Sequence, residues 1–478
     1  MHFKTIFKSL KNKDMLRRVG IIFGILIAYR LLAQIPVPMG DASTFREAVS
    51  NLLEKSDFSS FLNLISGGGL ASFSIILVGL SPYITGSIVI QLLTKAIPRL
   101  EELSNDGETG RRKINQWTRM LAVPLAILQS IVYIFILYQS TLSANIATEF
   151  TPTLGDWALS VTAMTAGSII LMWLGELITE QGIGNGISMM IFASIISQLP
   201  TTLASLGAAL FNTENGTLSM FGWFELPVDP TTFFIVLGFA VAMLVVIYFL
   251  VKLNEAQRII TVNYAKRVHG NSSYGGIKSI LPIKIIAAGV IPVIFATAFL
   301  SLPALIGQVI TTVDPGNEFG TSLVSIFTAP SANNFLAIYP DGITGQWFIY
   351  PAVYFFLVFV FTYFYTNSVV FNTKEIADNL QKQGGFIEGV RPGIKTAEYL
   401  SKVVSHLNLF GALSLGLIAM LPFITDYIFI MTTGSPVGLS ISGTGLLIVV
   451  TVALENLRSL DSRALMVTYD DFGDELKN

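Results

Sequence analysis

The amino-acid sequence predicts an all-α membrane protein with ten transmembrane helices, and three observations indicate this class. Hydrophobic residues make up 52% of the 478 residues and charged residues only 13%, about half the charged share of a soluble domain. Apolar runs of about 20 residues recur, the length that a helix needs to cross a hydrocarbon core of about 30 Å. Lys and Arg are concentrated in alternate loops, as in multi-span membrane proteins.

The apolar runs define the spans one after another along the chain. The first follows a basic segment, residues 1–18, and is long enough to cross the membrane, so we expect a retained helix and not a cleavable signal. The ten predicted spans cover residues 19–36, 74–94, 118–138, 158–178, 182–200, 231–251, 283–303, 347–371, 408–424 and 439–456.

The distribution of Lys and Arg predicts the orientation. Of the 29 Lys and Arg residues, Arg46 and Lys55 lie in loops on one side, and Arg30 lies in the first span. All the others lie in segments that ten spans place on the opposite side: the N-terminus, 95–119, 252–284, 372–406 and the C-terminal tail. The positive-inside rule therefore predicts that both termini are cytoplasmic.

The segment 61–71 does not fit a simple bundle. It is apolar but covers less than about 20 Å as a helix, too short to span, and it contains Gly67, Gly68 and Gly69. The pattern leaves two readings open: a half-helix that re-enters the membrane from outside, or an interfacial loop helix.

The two largest cytoplasmic loops, 252–284 and 372–406, are basic and contain turn sequences such as Gly384-Gly385. They indicate ordered protrusions, and basic protrusions can dock an acidic partner or RNA. The alternative is that their charge serves orientation alone.

The spans divide near residue 225. Residues 1–225 hold helices 1–5, and residues 226–478 hold helices 6–10 with both large loops. Because five is an odd number, two five-helix halves would be inverted relative to each other. No residue-level similarity between the halves is evident.

The sequence lacks the residue patterns of common catalytic, metal and nucleotide sites. The chain has no Cys, and its three His residues, expected in solvent-facing loops, do not have the spacing of metal ligands. The glycine-rich stretch 182–186 matches neither a Walker A loop nor a dinucleotide fingerprint. We therefore predict neither an enzyme nor a cofactor or metal site.

Charged residues inside the spans are few. Arg30 is near an outer end, where it can extend to the surface, and Glu176, Lys284 and Glu455 are near cytoplasmic ends. Ion-coupled transporters usually need a charge at mid-membrane depth. The pattern favours a passive pore or a structural role.

Several motifs occur in an order that resembles the SecY family of protein-conducting channels, over residues 14–456. They are LVGLSPYI at 77–84, IQLLT at 90–94, GETGRRKI at 107–114, MWLGE at 172–176, ITE at 178–180, GIGNGIS at 182–188, QR at 257–258, YAKR at 264–267, AGVIP at 288–292, ADNL at 377–380 and VRPG at 390–393.

The resemblance implies the central pore-forming subunit of a Sec translocon in the cytoplasmic membrane. Such a channel passes unfolded secretory chains outward and releases apolar segments sideways into the bilayer. The implied partners are SecE, SecG, the SecA motor ATPase, the ribosome and the nascent chains themselves.

The family's constriction is a ring of aliphatic side chains. The residues that match it here are Leu80, Ile84, Ile187, Ile191, Ile294 and Ile448. Counted from the predicted span ends, Ile84, Ile191, Ile294 and Ile448 lie at about 14–17 Å depth, near the membrane centre. Leu80 replaces the family's usual isoleucine at equal volume.

The resemblance also assigns a plug, a lateral gate and a docking surface. The plug is the half-helix at 61–71, with the residues Leu64, Ile65, Ser66, Gly67, Gly68 and Gly69. The gate carries four polar residues expected to hydrogen-bond across its seam for about 0.6 kcal/mol each: Thr85, Gln91, Gln129 and Thr297. The residues assigned to motor or ribosome docking are Arg258, Lys266, Arg267, Arg391 and Lys395.

Two other functions remain to be weighed. A secondary transporter for a small solute would suit inverted halves and broken helices, but the spans lack a central charge. A scaffold or insertase without an open pore is disfavoured by an apolar waist with a plug.

Overall fold

The protein is largely helical in the computed structural model. The structure describes residues 13–38, 72–143, 153–211, 218–220, 224–226, 230–264, 267–269, 272–274, 278–314, 316–328, 348–367, 371–433 and 443–475. The segment predicted as a plug, 61–71, lies outside these residues, as does Lys266.

The long helices follow the predicted spans, and each predicted span overlaps one of them. The helices are α1 (Lys13–Leu32), α2 (Ser81–Ala96), α3 (Pro98–Asn105), α4 (Gly107–Ser143), α5 (Leu154–Glu180), α6 (Gly186–Leu210), α7 (Pro230–Glu255), α8 (Ile291–Val313), α9 (Glu318–Phe327), α10 (Ile349–Tyr365), α11 (Thr373–Lys382), α12 (Ile394–Thr433) and α13 (Gly443–Glu475). Among the described residues, the stretches long and apolar enough to cross a membrane are Gly107–Gln139, Leu154–Glu180, Val236–Glu255, Ile291–Val313 and Ile394–Leu421.

Local sequence signals explain where several helices begin. Thr153 caps α5 in a capping box with Asp156, in which the Asp156 N–H donates to the Thr153 hydroxyl and the carboxylate accepts from the Thr153 N–H. The Asn185 side chain caps α6 by accepting from the N–H groups of Ile187 and Ser188.

Two predicted spans begin later than the sequence indicates. Residues 72–80 form turns, so α2 begins at Ser81 and not near residue 74; α8 likewise begins at Ile291 and not at 283. Each start follows a glycine of positive φ, Gly79 at 63° and Gly289 at 64°, a conformation that glycine adopts without steric cost.

These two helix starts reveal a repeat that the sequence analysis missed. Residues 78–84 read VGLSPYI and residues 288–294 read AGVIPVI. Leu80 and Val290 occupy equivalent N-cap positions with nearly the same backbone angles, and proline follows two residues later in both. The two stretches therefore share a local arrangement, a left-handed glycine followed by a helix with proline in its first turn.

The two large loops fold together into one unit. Strands β3 (Gln257–Tyr264) and β6 (Lys278–Lys284) pair with each other, and β7 (Gly385–Ile387) pairs with β3, giving an antiparallel sheet of order β6-β3-β7. A buried apolar cluster joins this sheet to α11 and α12. Short hairpins form from β1 (Leu218–Met220) with β2 (Phe224–Leu226), and from β4 (Arg267–His269) with β5 (Ser272–Tyr274).

Two residues differ from their expected positions. Arg30 donates a 2.8 Å hydrogen bond to Ser197 of α6, so it ties α1 to α6 and does not simply extend to the surface. His406 is exposed as expected, but it lies within α12 and not in a loop.

The Arg119 guanidinium pairs with Glu176 at 2.7 Å, which neutralises that carboxylate near the end of α5.

Candidate functional site

The residues predicted for the aliphatic ring come together in the structure. Leu80, Ile84, Ile191, Ile294 and Ile448 are buried members of one apolar cluster, and Ile187 packs against it. They come from α6, α8, α13 and the beginning of α2, which lie far apart in the sequence. We call these six residues the ring residues.

The ring residues lie near helix starts, and this corrects the depth argument made from the sequence. Ile84 and Ile294 are the fourth residues of α2 and α8, and Ile191 and Ile448 are the sixth residues of α6 and α13. Leu80 is the N-cap of α2. Each of these residues therefore lies in the first two turns of its helix or at its N-cap, and not halfway along it.

Glycines allow α5 and α6 to approach closely beside the ring residues. A Cβ atom on Gly186 would collide with the carbonyl oxygen of Gly175, and one on Gly175 would lie 3.3 Å from Cγ1 of Ile187. The absence of side chains at these two positions thus determines where Ile187 and the first turn of α6 lie.

Hydrogen bonds hold the non-helical chain that leads into α2. The Ser168 hydroxyl of α5 donates to the Gly79 carbonyl at 2.8 Å. The N–H of Val37 donates to the Phe73 carbonyl, and the N–H of Ile75 donates to the Ile35 carbonyl. Irregular backbone at membrane depth needs protein partners or a water-lined cavity, and here the protein supplies these partners.

A second apolar cluster lies beside the ring residues and joins α4 to α8. We call it the seam cluster, and its buried members come from the chain before α2, from α4, from α5 and from α8. They are Val37, Phe73, Leu77, Val78, Tyr133, Ile134, Leu137, Met164, Ala304 and Leu305. Since α8 also contacts α2 and α4 directly, these elements form a closed seam.

The four polar residues assigned to the gate do not bond across this seam, contrary to expectation. The Thr297 hydroxyl donates to the Ile294 carbonyl of its own helix, and Gln91 donates to Ser87 of its own helix. Within the described structure, the buried Thr85 hydroxyl and the Gln129 side-chain carbonyl have no hydrogen-bond partner. The seam is therefore closed by apolar packing.

The residues assigned to docking, where they are described, lie on the unit formed by the two loops. Arg258 is exposed at the beginning of β3, and Arg391 is exposed in a turn flanked by Gly389 and Gly393, both of positive φ. The Thr396 hydroxyl donates to the Arg391 carbonyl at 2.9 Å and stabilises this turn. Arg267 begins β4, and only its backbone is described.

Lys395, also assigned to docking, forms an ion pair. Its ammonium group pairs with Glu398 at 2.8 Å, and both side chains are exposed. An exposed pair of this kind contributes little to stability, so another acidic group can displace Glu398.

Residues that the sequence analysis did not single out link the ends of several helices. Arg458 of α13 donates to the side chain and the carbonyl of Asn254, at 3.2 and 2.9 Å. Arg18 of α1 donates to the Gln181 carbonyl, and Arg463 of α13 donates to the Gly182 carbonyl. No sequence motif marks these arginines, because their acceptors are mostly backbone carbonyls.

Lys284, at the end of β6, lies in the same region. Burial lowers the pKa of Lys284 below its ordinary value of 10.5, the neighbouring Arg458 lowers it further, and Glu455 opposes the shift. The chain between Lys284 and α8 therefore runs beside a group of mixed charges. Among the described residues, no cluster of His, Asp or Glu has the arrangement of a metal site.

Comparison with known proteins identifies the family. A family model described as SecY matches residues 74–457, most of the chain. The chain belongs to the SecY family. Protein translocase subunit SecY of Streptomyces scabiei is 36% identical over 469 residues, 97% of this chain and 98% of that protein. The subunit of the same name from Corynebacterium glutamicum is 36% identical over 472 residues, 98% of this chain and 99% of that one.

Solved structures share the fold of this SecY-family chain. One described as "The structure of a protein conducting channel" gives a TM-score of 0.61 at 18% identity, and covers 92% of this chain and 90% of that chain. Sec61 in the canine ribosome-channel complex gives 0.56 at 18% identity, with the same coverage. The predicted family and the predicted all-α, multi-span membrane fold are confirmed.

Proposed function

We propose that the chain is the central pore-forming subunit of a Sec-type translocon. It passes unfolded secretory chains through the membrane and releases apolar segments sideways into the bilayer. The observation that carries this proposal is the convergence of the six ring residues, from helices in both parts of the chain, in one apolar cluster. Relatives named protein translocase subunit support it.

An aliphatic ring suits a passage for polypeptides of any sequence. It offers no hydrogen-bonding groups that would prefer one passing side chain over another. At a narrow waist, apolar side chains also disfavour a continuous column of water, so the ring limits ion flow when no chain is present.

A small-solute transporter explains the site less well. Coupled transporters usually carry a charge at mid-membrane depth, and the ring residues are uncharged. A closed scaffold would not need six aliphatic residues from separate helices gathered in one cluster. We also propose no enzymatic activity and no cofactor, because the site offers only aliphatic side chains.

The seam between α4 and α8 serves as the lateral gate in this proposal. Thr85 and Gln129 each bury a polar atom without a partner, and an unsatisfied buried group costs about 1–3 kcal/mol. Opening the seam lets these atoms bond to water or to an entering chain. The closed seam is therefore favoured by apolar packing and opposed by the two polar atoms.

The basic unit over the membrane is the proposed docking surface for the SecA motor ATPase or the ribosome, through Arg258, Arg391 and Lys395 with Lys266 and Arg267. Its basic, exposed character supports an acidic partner or RNA. The neighbour solved as Sec61 in a ribosome-channel complex is in line with ribosome docking.

Helix α7 offers a surface for a small membrane partner. Only 6% of its most apolar window is buried, far less than in the other spanning stretches. We propose that SecE covers this helix, and that SecG accompanies the complex.

The segment 61–71 is the proposed plug, and a neighbouring structure that concerns the plug domain of the SecY protein is in line with that assignment.

The proposed architecture has two inverted halves, residues 1–225 and 226–478, with both termini in the cytoplasm and the chain in the cytoplasmic membrane. The repeated helix starts at 78–84 and 288–294 support this division. The Lys and Arg distribution supports the orientation.

Site-specific crosslinking tests the channel. The chain has no Cys, so Ile84→Cys or Ile191→Cys introduces a single thiol at the ring, and Leu417→Cys places a matched control at an exposed position of α12. A secretory chain stalled during transport carries the second thiol. We expect ring disulfides that need SecA and ATP and that move with the stall point. Crosslinks at Leu417→Cys alone would exclude the pore and favour a scaffold.

A further inference from the structure

The turn between α5 and α6 is bonded to arginines of two distant helices. It covers residues 181–185 and contains two glycines of positive φ. Arg18 of α1 donates to the Gln181 carbonyl at 3.1 Å, and Arg463 of α13 donates to the Gly182 carbonyl at 3.4 Å. Carbonyl groups at the end of a helix need donors from outside it, and here α1 and α13 supply them.

The two glycines leave room for side chains of α13 to enter the turn. A Cβ on Gly182 would collide with Nη1 of Arg463, and one on Gly184 would collide with Oδ1 of Asn456. The positive φ alone favours glycine at both positions. The collisions show in addition that side chains of α13 fill the space that a Cβ would need, so the turn and α13 fit each other closely.

One face of α13 leads from this turn to the ring residues. Ile448, Val452 and Asn456 are spaced four residues apart, so they share a face of the helix. Arg463, seven residues after Asn456, lies on that face as well. Ile448 is a ring residue, and Val452 is buried in the same apolar cluster. Since α13 also packs directly against α6, the same two helices meet at the ring and at the turn.

The turn leads directly into the ring residues of α6. Ile183, between the two glycines, is buried in the apolar cluster that contains the ring residues. Ile187 follows the N-cap residue Asn185 by two positions, and Ile191 lies one helical turn further. A displacement of the turn relative to α13 therefore moves Ile187 and Ile191 relative to Ile448.

We infer that Asn456 and Arg463 are positioning residues for the ring. They hold the turn 181–185 against α13, so that the ring residues of α6 and α13 close the waist together. Because α6 and α13 belong to different proposed halves, this contact sets how closely the halves approach at the waist. The inference rests on the proposed channel and adds two residues outside the ring that determine its resting width.

Ion leakage through the complex, without SecA or a secretory chain, tests this role. Arg463→Ala removes a donor to the turn, and we expect anion flux into proteoliposomes to rise about fivefold, the effect of one hydrogen bond. Arg463→Lys keeps a donor and should restore most of the seal. Ser462→Ala, at the exposed neighbouring position, is the control and should leave the flux unchanged.

A pair of glycine variants separates the contact from backbone strain. Gly182→Ala and Gly384→Ala place a Cβ on residues of nearly equal φ, 72° and 73°, but nothing lies within 4 Å of the Cβ at Gly384. Gly182→Ala should therefore displace Arg463 and raise the flux, and Gly384→Ala should not. The double variant of Gly182→Ala with Arg463→Ala should leak no more than Arg463→Ala, because the side chain that would be displaced is already absent.

Spin labels measure the contact itself and need no transport. The chain has no Cys, so Glu180→Cys and Ser462→Cys place nitroxides on the two sides of the contact, both at exposed positions. We expect a narrow distribution of distances between the two labels. It should broaden when Arg463→Ala is added and stay narrow with Arg463→Lys.

Two results would overturn the inference. An unchanged distance distribution in Arg463→Ala would show that this residue does not hold the turn. A broadened distribution with unchanged flux would show that the turn does not position the ring. Ile294→Ala is the reference for the flux: leakage in this variant but not in Arg463→Ala contradicts the inference alone, whereas leakage in neither contradicts the proposed channel and the inference with it.

Discussion

The two helix starts, residues 78–84 and 288–294, have the same backbone conformation, but different contacts stabilise them. Both combine a left-handed glycine, an N-cap of similar angles and a proline. The first is held by neutral hydrogen bonds, with the Ser168 hydroxyl donating to the Gly79 carbonyl. The second lies beside charged groups: a Cβ on Gly289 would be 3.7 Å from a carboxylate oxygen of Glu455.

The difference shows that the glycine–proline conformation does not depend on one particular set of neighbouring groups. A glycine and a proline are enough to begin a helix near the level of the ring residues. What stabilises the preceding chain differs between the two, with neutral donors around the first start and mixed charges around the second. The following experiments test whether the two starts are equivalent.

Truncation of the ring residues should have the largest effect. Ile84→Ala and Ile294→Ala each remove a buried aliphatic side chain at an equivalent position, and we expect each to lower the free energy of unfolding by about 2–5 kcal/mol. A smaller apolar barrier should also raise ion leakage, about tenfold for each 1.4 kcal/mol.

Thermal unfolding of the purified complex and anion flux into proteoliposomes measure these two effects. Leu417→Ala, at an exposed position of α12, is the control and should leave the flux unchanged. A leak in one ring variant and not in the other would show that the two starts do not contribute equally to the waist.

Replacement of the two glycines should have a smaller effect. Gly79→Ala and Gly289→Ala place a Cβ on residues whose φ is 63° and 64°, which costs about 1–2 kcal/mol. Because the angles agree, the two losses in unfolding free energy should agree. Denaturant titration of both variants checks this, and a twofold difference between them would contradict the equivalence.

Loss of a single hydrogen bond should affect the first start alone. Ser168→Ala removes the donor to the Gly79 carbonyl, and we expect a loss of about 1 kcal/mol. Thr162→Ala is the control, since Thr162 is exposed and bonds only to its own helix. Hydrogen exchange around residues 79–84, compared with 289–294, should locate the loosening at the first start.

The smallest effect concerns pH and the second start. The pKa of Lys284 is lowered in the folded protein, so the unfolded chain binds more protons between that value and 10.5. Stability should therefore increase as the pH rises through this window. The difference in melting temperature between the wild type and Lys284→Gln isolates the contribution of this residue, and a pH-independent difference would exclude it.

The family resemblance assigns the ring residues, but the sequence does not show how they are placed. The motifs that contain or adjoin Ile84, Ile191 and Ile294 are long, so the assignment needs no knowledge of helix ends. Hydropathy could not separate residues 74–80 from α2, because the buried turns there are as apolar as a helix. The GxxP pattern at 79–82 and 289–292 was the signal available for both starts.

The gate residues illustrate a different limit. The sequence places Thr85, Gln129 and Thr297 on helices that meet, but it does not determine which way each side chain turns. Thr297 bonds to its own helix, as threonine often does. The seam cluster joins residues as distant as Val37 and Leu305, and such contacts appear only when the helices are packed.

The sheet that joins the two large loops also has a mechanical consequence. Strand β3 continues from α7, and β6 leads into α8, with seven residue pairs between them. At about 3.3 Å per residue, the eight residues of β3 form a stiff arm of about 26 Å. A force applied at the far end of β3 therefore acts on the end of α7 and the beginning of α8 together. The three residue pairs between β3 and β7 transmit part of this force to α12.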